Sequence, residues 1–412
     1  MLKKIFIIAI IFFLIAAGVA IYTLFFHHAT NQNQQNNSNS SSNYQPFPLS
    51  NSINSQPPNT LNGASTGTST TPITIQPLTQ LYPLPIAGAG IFATKKDGEF
   101  VRFTDRATGH IYSISLATSS AVVTNELSDQ TIPQIYRSLW LNGSTTILQY
   151  LDNNQSTIKT YSATLGASKE ASTSTPTFSS ITGTFLPDDI EAIATNPTGN
   201  QIFYLIESAS GVIGKITNYT TNNNSTIFSS PISDWNIQWP TTSTIALSTK
   251  ASNGVNGYLY FLSTKGTLQR ILGDIPGLVT NVNPTGTLVA YSDGNPTLSM
   301  FDIKSNTTIN TGLATIANKC AWSPTQTTIL YCAVPNSLPG GNYPDAWYQG
   351  LVSFSDSIYS INATTGQSIQ IGTISQQAGQ PIDAENLMVS PNNDFLIFTN
   401  KIDLSLWALR LQ

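Results

Sequence analysis

The feature that most constrains this chain is a hairpin that recurs through most of its length. Four copies consist of an apolar strand, a turn that contains proline, and a second apolar strand. Their turns are Asn196-Pro197-Thr198-Gly199, Asn283-Pro284-Thr285-Gly286, Ser323-Pro324 and Ser390-Pro391. Proline presets φ at the second turn position, and glycine or asparagine tolerates the positive φ that follows. The repeat therefore predicts a series of antiparallel hairpins.

Three weaker copies begin near Ile86, Leu139 and Ile237, which extends the series to seven hairpins at spacings of about 40 to 66 residues. A unit of this size is typical of one four-stranded propeller blade. The sequence therefore predicts an all-β fold, a seven-bladed β-propeller of four-stranded antiparallel blades. The last copy ends at Leu406–Leu411 after three strands. Thr74–Tyr82 is predicted to supply the missing strand and close the ring.

The N-terminal segment predicts a membrane anchor. Lys3 and Lys4 precede an uncharged apolar run, Ile5–Phe26, that is long enough to span a hydrocarbon core of about 30 Å. Small residues at Ala16–Ala20 are compatible with signal-peptide cleavage, but the apolar run continues beyond them. We expect residues 1–28 to hold one transmembrane signal anchor in the cytoplasmic membrane. The positive-inside rule predicts a cytoplasmic N-terminus, with the rest of the chain outside.

Composition separates this anchor from the globular part and excludes one class of function. Residues 29–73 consist mostly of Asn, Ser, Gln, Thr, Gly and Pro, which predicts a disordered linker before a propeller domain at residues 74–412. Charged residues make up only 9% of the chain, and the net charge is −4. Nucleic-acid binding needs a basic patch or stripe, which this sequence does not contain.

The proline turns also carry a resemblance. The Asn-Pro-Thr-Gly and Ser-Pro turns resemble the Ser-Pro-Asp-Gly turn of TolB-like and WD40-like bacterial β-propellers, over about residues 74–412. Thr, Gln or Asn occupies the usual position of the turn aspartate, and no Trp-Asp dipeptide ends a blade. The resemblance implies a module that binds a partner protein or peptide at the cell envelope. It implies no activity, because this fold hosts scaffolds, enzymes and receptors alike.

Few residues of this chain are suited to catalysis. His27 and His28 lie at the end of the predicted membrane segment, and His110 is alone on a predicted strand. No Cys/His cluster has the spacing of metal ligands, so we expect no catalytic residues, no metal site and no cofactor. The sequence favours a binding scaffold. The alternatives are an extracytoplasmic enzyme that acts on glycans or peptides, for instance through a carboxylate pair, and a structural subunit of a surface assembly.

Aspartates in the loops that lead into the innermost strands are the first candidates for ligand binding. In a propeller, these entry loops and the loops between second and third strands gather on one face. The aspartates either cap turns by accepting nearby backbone N–H groups, or form an acidic funnel that attracts a cation or a basic peptide. They are Asp129, Asp188, Asp189, Asp234, Asp274 and Asp383.

An insertion between the second and third strands of blade 6, at residues 335–356, contains the other candidates. A structureless loop of this length in a compact fold is usually functional or disordered, and its aromatic residues argue against disorder. Its side chains either pack over the blade as a lid or form a recognition patch, on the same face as the aspartates. The candidates are Tyr343, Asp345, Trp347, Tyr348 and Asp356.

The two cysteines are predicted to lie opposite each other in the hairpin of blade 6. If Ser323 faces Ile329 across the Pro324 turn, antiparallel register places Cys320 opposite Cys332. Opposed Cβ atoms are about 4.5–5.5 Å apart, so a disulfide needs little adjustment, and an oxidising compartment preserves it. Two buried free thiols are the alternative.

Overall fold

The computed structural model describes residues 73–74, 77–116, 121–166, 178–219 and 223–411. The predicted anchor at residues 5–26 lies outside these ranges, as does the predicted linker apart from Ile73. Within the described ranges, no helix has the length and apolar character needed to cross a bilayer. The same residues form seven four-stranded antiparallel sheets, which confirms the predicted seven-bladed β-propeller.

Each of these sheets is one blade, and its strands are numbered from the first, innermost strand outward. The first strands of blades 1 and 2, of blades 3 and 4, of blades 6 and 7, and of blades 7 and 1 contact each other, as expected when first strands surround a propeller axis. Blades 1 to 3 comprise Ile86–Thr94, Gly98–Asp105, Ile111–Ser115 and Thr124–Ser128; Ile135–Trp140, Thr145–Leu151, Ile158–Leu165 and Ile181–Phe185; and Ala192–Thr195, Gln201–Ser208, Gly211–Asn218 and Asn223–Ser230.

The later blades follow the same order along the chain, except that the fourth strand of blade 7 precedes blade 1. Blades 4 to 7 comprise Trp235–Gln238, Thr244–Thr249, Asn256–Ser263 and Leu268–Pro276; Val279–Val282, Leu288–Ser292, Thr297–Asp302 and Thr307–Ala314; Cys320–Trp322, Ile329–Pro335, Asp356–Asn362 and Ser368–Gly372; and Ala384–Val389, Phe395–Asn400, Leu406–Arg410 and Leu78–Tyr82. Short elements complete the fold: strands Ile73–Thr74 and Ala121–Val122, a 3-10 turn at Ala317–Lys319, and helices α1 (Asp345–Tyr348) and α2 (Ile374–Ala378).

The proline turns connect the first and second strands of their blades. They are stabilised by a side-chain oxygen of the turn that accepts hydrogen bonds from backbone N–H groups. In blade 3, Asn196 Oδ1 accepts hydrogen bonds from the amides of Asn200 and Gln201 at 3.0 and 3.1 Å. Gly199 occupies the left-handed region at φ +63°, which an L side chain adopts only with strain. In blade 7, Ser390 Oγ accepts the equivalent pair of amides, both at 2.9 Å.

Ring closure occurs in blade 7. Leu78–Tyr82 pairs antiparallel with Leu406–Arg410, as the unfinished last hairpin predicts. The closing strand is shorter than the predicted Thr74–Tyr82 because Ile73–Thr74 pairs instead with Ala121–Val122, between the third and fourth strands of blade 1.

The hydrophobic core is distributed over the interfaces between blades. Buried side chains of the described residues form seven clusters, and each cluster combines two neighbouring blades. Between blades 7 and 1, for example, Leu81, Phe395 and Leu406 pack with Ile86 and Phe103. The closing strand therefore completes a hydrophobic interface as well as a sheet.

Entry loops and the loops between second and third strands lie on one face, which we call the cleft face. Backbone hydrogen bonds connect the two kinds of loop. Asp189, in the entry loop of blade 3, donates its N–H to Ile158 O, at the start of the third strand of blade 2. Lys250 N donates to Asp234 O in the same way within blade 4. The insertion of blade 6 follows a second strand and therefore lies on this face.

Candidate functional site

The cleft face contains a cavity of about 760 Å³ over the first strands of blades 2 to 5. We call it the axial cleft, because first strands surround the axis of a propeller. Its walls come from these strands, their entry loops, the second-to-third loop of blade 4 and the insertion of blade 6. Its charged and aromatic lining includes Arg137, Glu191, Asp234, Lys250, Asp345 and Tyr348.

The insertion forms one wall of the cleft by reaching across blade 5 to blade 4. Asn253, in the second-to-third loop of blade 4, donates its backbone N–H to Asp345 Oδ2. Its Nδ2 donates to Tyr343 O at 3.0 Å. Blade 5 makes room for this contact at Gly294, where an added Cβ would lie 3.2 Å from Asn253 Nδ2. The bridge holds α1 in place and sets Tyr348 at the cleft wall.

Trp347 attaches the other side of the insertion to blades 6 and 7. Its side chain is 3% exposed and stacks on Phe354 with ring centroids 6.2 Å apart. Its Nε1 donates to both carboxylate oxygens of Asp383, at 3.1 and 2.9 Å. The next residue, Tyr348, is 39% exposed and lines the cleft. The two aromatic candidates therefore differ: Trp347 packs in the interior, whereas Tyr348 faces the cleft.

A buried charge cluster lies beneath the insertion. Lys319 Nζ contacts Asp383 and lies 2.9 Å from Asp356 Oδ2, and all three side chains are fully buried. Two carboxylates and one ammonium leave a net negative charge when all are ionised. Burial raises the pKa of Asp356 to about 6, although the nearby Lys319 lowers it. Asp356 and Asp383 thus stabilise the base of the insertion and do not line the cleft.

The cleft itself carries charges of both signs. Lys250 Nζ lies 3.3 Å from Asp234 Oδ1, and both side chains are mostly exposed. Glu191 lines the same wall, and Asp345 contributes a third carboxylate from the insertion. Arg137, on the first strand of blade 2, lines the cleft from a half-buried position. Burial lowers the pKa of the Arg137 guanidinium.

Three other predicted aspartates make contacts within their own loops or blades. Asp188 pairs with Lys159 at 2.6 Å, at a partly exposed position. Asp189 Oδ1 accepts the amide at the start of the third strand of blade 2, at 2.8 Å. Asp274 lies on the fourth strand of blade 4 and not in an entry loop, so that part of the prediction is wrong; it accepts a hydrogen bond from a tyrosine hydroxyl of its own blade at 2.9 Å. Of the six aspartates predicted in entry loops, Asp234 alone lines the axial cleft as the described residues form it.

The cysteines lie in the core below the insertion. Cys320 is paired with Cys332 in the register that the Pro324 turn predicts. Their sulfur atoms are joined in a disulfide, and both residues belong to the cluster between blades 5 and 6.

Several residues that line or support the cleft were not predicted from the sequence. Glu191 and Lys250 lie next to strands that the repeat predicts. A search of the adjoining loops for all charged residues, and not for aspartate alone, identifies both. Arg137 lies in one of the weaker copies of the repeat, next to its apolar core. Asn253 carries no sequence signal, because its partners Tyr343 and Asp345 are 90 and 92 residues away.

Metal and histidine chemistry do not mark this site. Within the described parts of the chain, no group of three or more His, Cys, Asp or Glu side chains is arranged to hold a metal ion. His110 Nδ1 lies 2.6 Å from Glu126 Oε1, and its Nε2 lies 3.1 Å from Thr131 Oγ1. These contacts lie in blade 1 and in the loop that leads from blade 1 to blade 2, and none of these three residues belongs to the described lining of the cleft.

Comparisons with known proteins concern the fold alone. No protein-family model matches the sequence, and no curated protein matches it. Among solved structures, the chain is similar to a puromycin hydrolase mutant crystallised in complex with PGG, with a TM-score of 0.48 and 12% sequence identity. The match covers 77% of this chain and 51% of that one, so this chain corresponds to about half of that chain's length.

Proposed function

We propose that this protein is a membrane-anchored binding scaffold whose axial cleft holds a segment of a partner polypeptide at the cell envelope. The observation that carries the proposal is the composition of the cleft. Amide side chains such as Asn236 and Asn318 stand among charges of both signs. Amides both donate and accept hydrogen bonds, as a peptide backbone does. Partly exposed Tyr348 adds the kind of aromatic anchor that protein interfaces favour.

The attachment of the insertion also favours binding. Asn253 holds its outer side and Trp347 holds its base, so the wall that carries Tyr348 is formed before a ligand arrives. A preformed wall lowers the ordering cost that a ligand otherwise has to offset. A cleft of about 760 Å³ falls within the size of sites that enclose small ligands, and it accommodates a few residues of an extended chain.

The predicted anchor and the resemblance of the turns support the proposed location of the propeller outside the cytoplasmic membrane, at the cell envelope. Lys3 and Lys4 before the apolar run Ile5–Phe26 favour a single span with the propeller outside. Protease added to intact cells should then degrade the propeller domain, while the protein should sediment with membranes and resist extraction by salt. A protein that is protected until the cells are lysed, or that is released without detergent, contradicts this location.

Site-specific photocrosslinking on the full-length protein in detergent tests the binding role. A photoreactive residue replaces Gln349, which lines the cleft, or Ile369, which is 71% exposed on the fourth strand of blade 6. With solubilised envelope proteins we expect a discrete polypeptide adduct at position 349 and none at the matched position 369. Equal adducts at both positions contradict the proposal. Turnover of a peptide or glycan panel without a stable adduct favours an enzyme instead.

A further inference from the structure

Arg137 places a positive charge in the axial cleft and has no ion-pair partner among the described residues. Its side chain lines the cavity from the first strand of blade 2. The ion pairs formed by described residues involve other cations, and no described carboxylate lies within ion-pair distance of Arg137. The other cleft cation, Lys250, differs in both respects: it is exposed, and it is paired with Asp234.

The surroundings of Arg137 orient its guanidinium but leave most of its hydrogen-bonding capacity unused. Nη1 donates to Gln149 Oε1 and Nη2 donates to Ile193 O, each at 3.4 Å, which is long for a hydrogen bond. Gln149 is itself held by bonds from its Nε2 to Thr160 Oγ1 and Ile190 O, at 3.2 and 2.8 Å. A guanidinium has five N–H donors, so three remain for a ligand.

We propose that Arg137 binds a carboxylate group of the cleft ligand, either a chain end or an acidic side chain. This inference rests on the proposed role of the cleft as a polypeptide site. A half-buried cation without an ion-pair partner has lost part of its hydration. A planar carboxylate compensates for this cost by accepting two parallel charge-assisted hydrogen bonds from the guanidinium. Arg137 would then determine which ligands the cleft accepts.

The charge balance of the cleft favours a carboxylate over a phosphate. Glu191, Asp234 and Asp345 line the same cavity as Arg137 and Lys250, so carboxylates outnumber cations. A doubly charged phosphate meets more repulsion there than a singly charged carboxylate does. The acidic side chains suit a basic or amino group elsewhere on the same ligand. A peptide supplies both kinds of charge.

Three peptide pools test this inference on the full-length protein in detergent. All are random octapeptides that contain no Asp or Glu at the random positions. The first pool has free C-termini, the second has amidated C-termini, and the third is amidated with one central Glu. We expect the protein to retain the first or the third pool about tenfold better than the second, the range of a hydrogen bond between charged groups. Which of the two is preferred identifies the source of the carboxylate.

Variants decide whether Arg137 causes the preference. Arg137→Gln should abolish it, and Arg137→Lys should retain part of it because the charge remains. The matched control is Arg270→Gln, which should keep the preference because Arg270 is an exposed residue on the fourth strand of blade 4 and does not line the cleft. Equal retention of all pools by the native protein overturns the inference but leaves the cleft as a peptide site. A preference that survives in a folded Arg137→Gln variant also overturns it.

Acetate provides a second measurement that does not depend on peptide binding. Thermal unfolding is compared in sodium acetate and sodium chloride at equal ionic strength. We expect acetate to raise the Tm of the native protein and of Arg270→Gln, but not that of Arg137→Gln. If no peptide pool is retained, this shift supports the carboxylate site while the proposed polypeptide-binding function fails. If acetate does not shift the Tm and no peptide pool is retained, both the carboxylate site and the proposed polypeptide-binding function are overturned.

Discussion

At the scale of residues, the buried charge cluster shows how context changes the role of a side chain. Asp383 belongs to an entry loop and Asp356 begins the third strand of blade 6, and the sequence marks both as acidic candidates on the cleft face. In the structure they meet Lys319 and are fully buried. Burial of two carboxylates against one ammonium favours uptake of a proton. The carboxylates that line the cleft, Glu191, Asp234 and Asp345, therefore remain the acidic candidates for ligand binding.

The raised pKa of Asp356 predicts a specific dependence of stability on pH. Folded Asp356 keeps its proton up to about pH 6, whereas the unfolded chain releases it near its ordinary value of 3.8. This contribution to stability is complete below 3.8 and is lost as the pH rises through 6. The expected loss is about 3 kcal/mol. Denaturant unfolding between pH 3.5 and 7.5 should show this slope in the native protein but not in Asp356→Asn; parallel curves contradict it.

The neighbours Trp347 and Tyr348 predict opposite phenotypes. Trp347→Ala removes a buried ring and the Nε1–H that donates to both carboxylate oxygens of Asp383, so the free energy of unfolding should fall by about 3–5 kcal/mol. Tyr348→Ala changes a partly exposed ring and should cost about 1 kcal/mol or less, while it weakens peptide retention. Denaturant unfolding and peptide binding of both variants check the contrast. If Tyr348→Ala does not fold, Tyr348 has a structural packing role like that of Trp347, and the predicted contrast is wrong.

At the scale of elements, the hairpins and the insertion differ in how far their local sequence determines the path of the chain. The strands on either side of the Pro324 turn follow from alternating turn and apolar segments, and their register places Cys320 opposite Cys332. The insertion has no such pattern. Its path depends on Asn253 in blade 4 and on Asp383 in blade 7, which are distant in sequence.

The disulfide predicts a moderate loss of stability when it is removed. Its cysteines are 12 residues apart, and closure of so short a loop in the unfolded chain corresponds to about 2–3 kcal/mol. The double variant Cys320→Ala/Cys332→Ala should lose that amount in denaturant unfolding. Unreduced, denatured native protein should not react with a thiol reagent. Two reactive thiols contradict the bridge.

At the scale of the whole molecule, stability depends on completing the ring. Each described hydrophobic cluster joins two neighbouring blades, so a blade without its neighbour exposes apolar surface. The strand Leu78–Tyr82 comes from the other end of the propeller sequence, and its residue Leu81 is buried between blades 7 and 1.

Removal of the closing strand should therefore destabilise the entire propeller. A chain that starts after Tyr82 loses the strand pairing with Leu406–Arg410 and the burial of Leu81. We expect the free energy of unfolding to fall on the order of 5 kcal/mol, a large part of the stability of a typical domain. The matched control starts at residue 73 and keeps the strand. Equal melting temperatures of the two chains contradict closure by this strand.

Sequence patterns alone predict the propeller, its seven blades and the strand that closes it, because strand alternation and proline turns are local patterns that repeat. They also place the cysteines opposite each other, since register in a tight hairpin follows from the turn. Only the tertiary structure decides which loop residues meet. Asp356 and Asp383 become buried partners of Lys319, Trp347 becomes core, and Arg137 becomes a cleft residue. These outcomes depend on how blades pack around an axis, and contacts between distant segments leave no local periodicity in the chain.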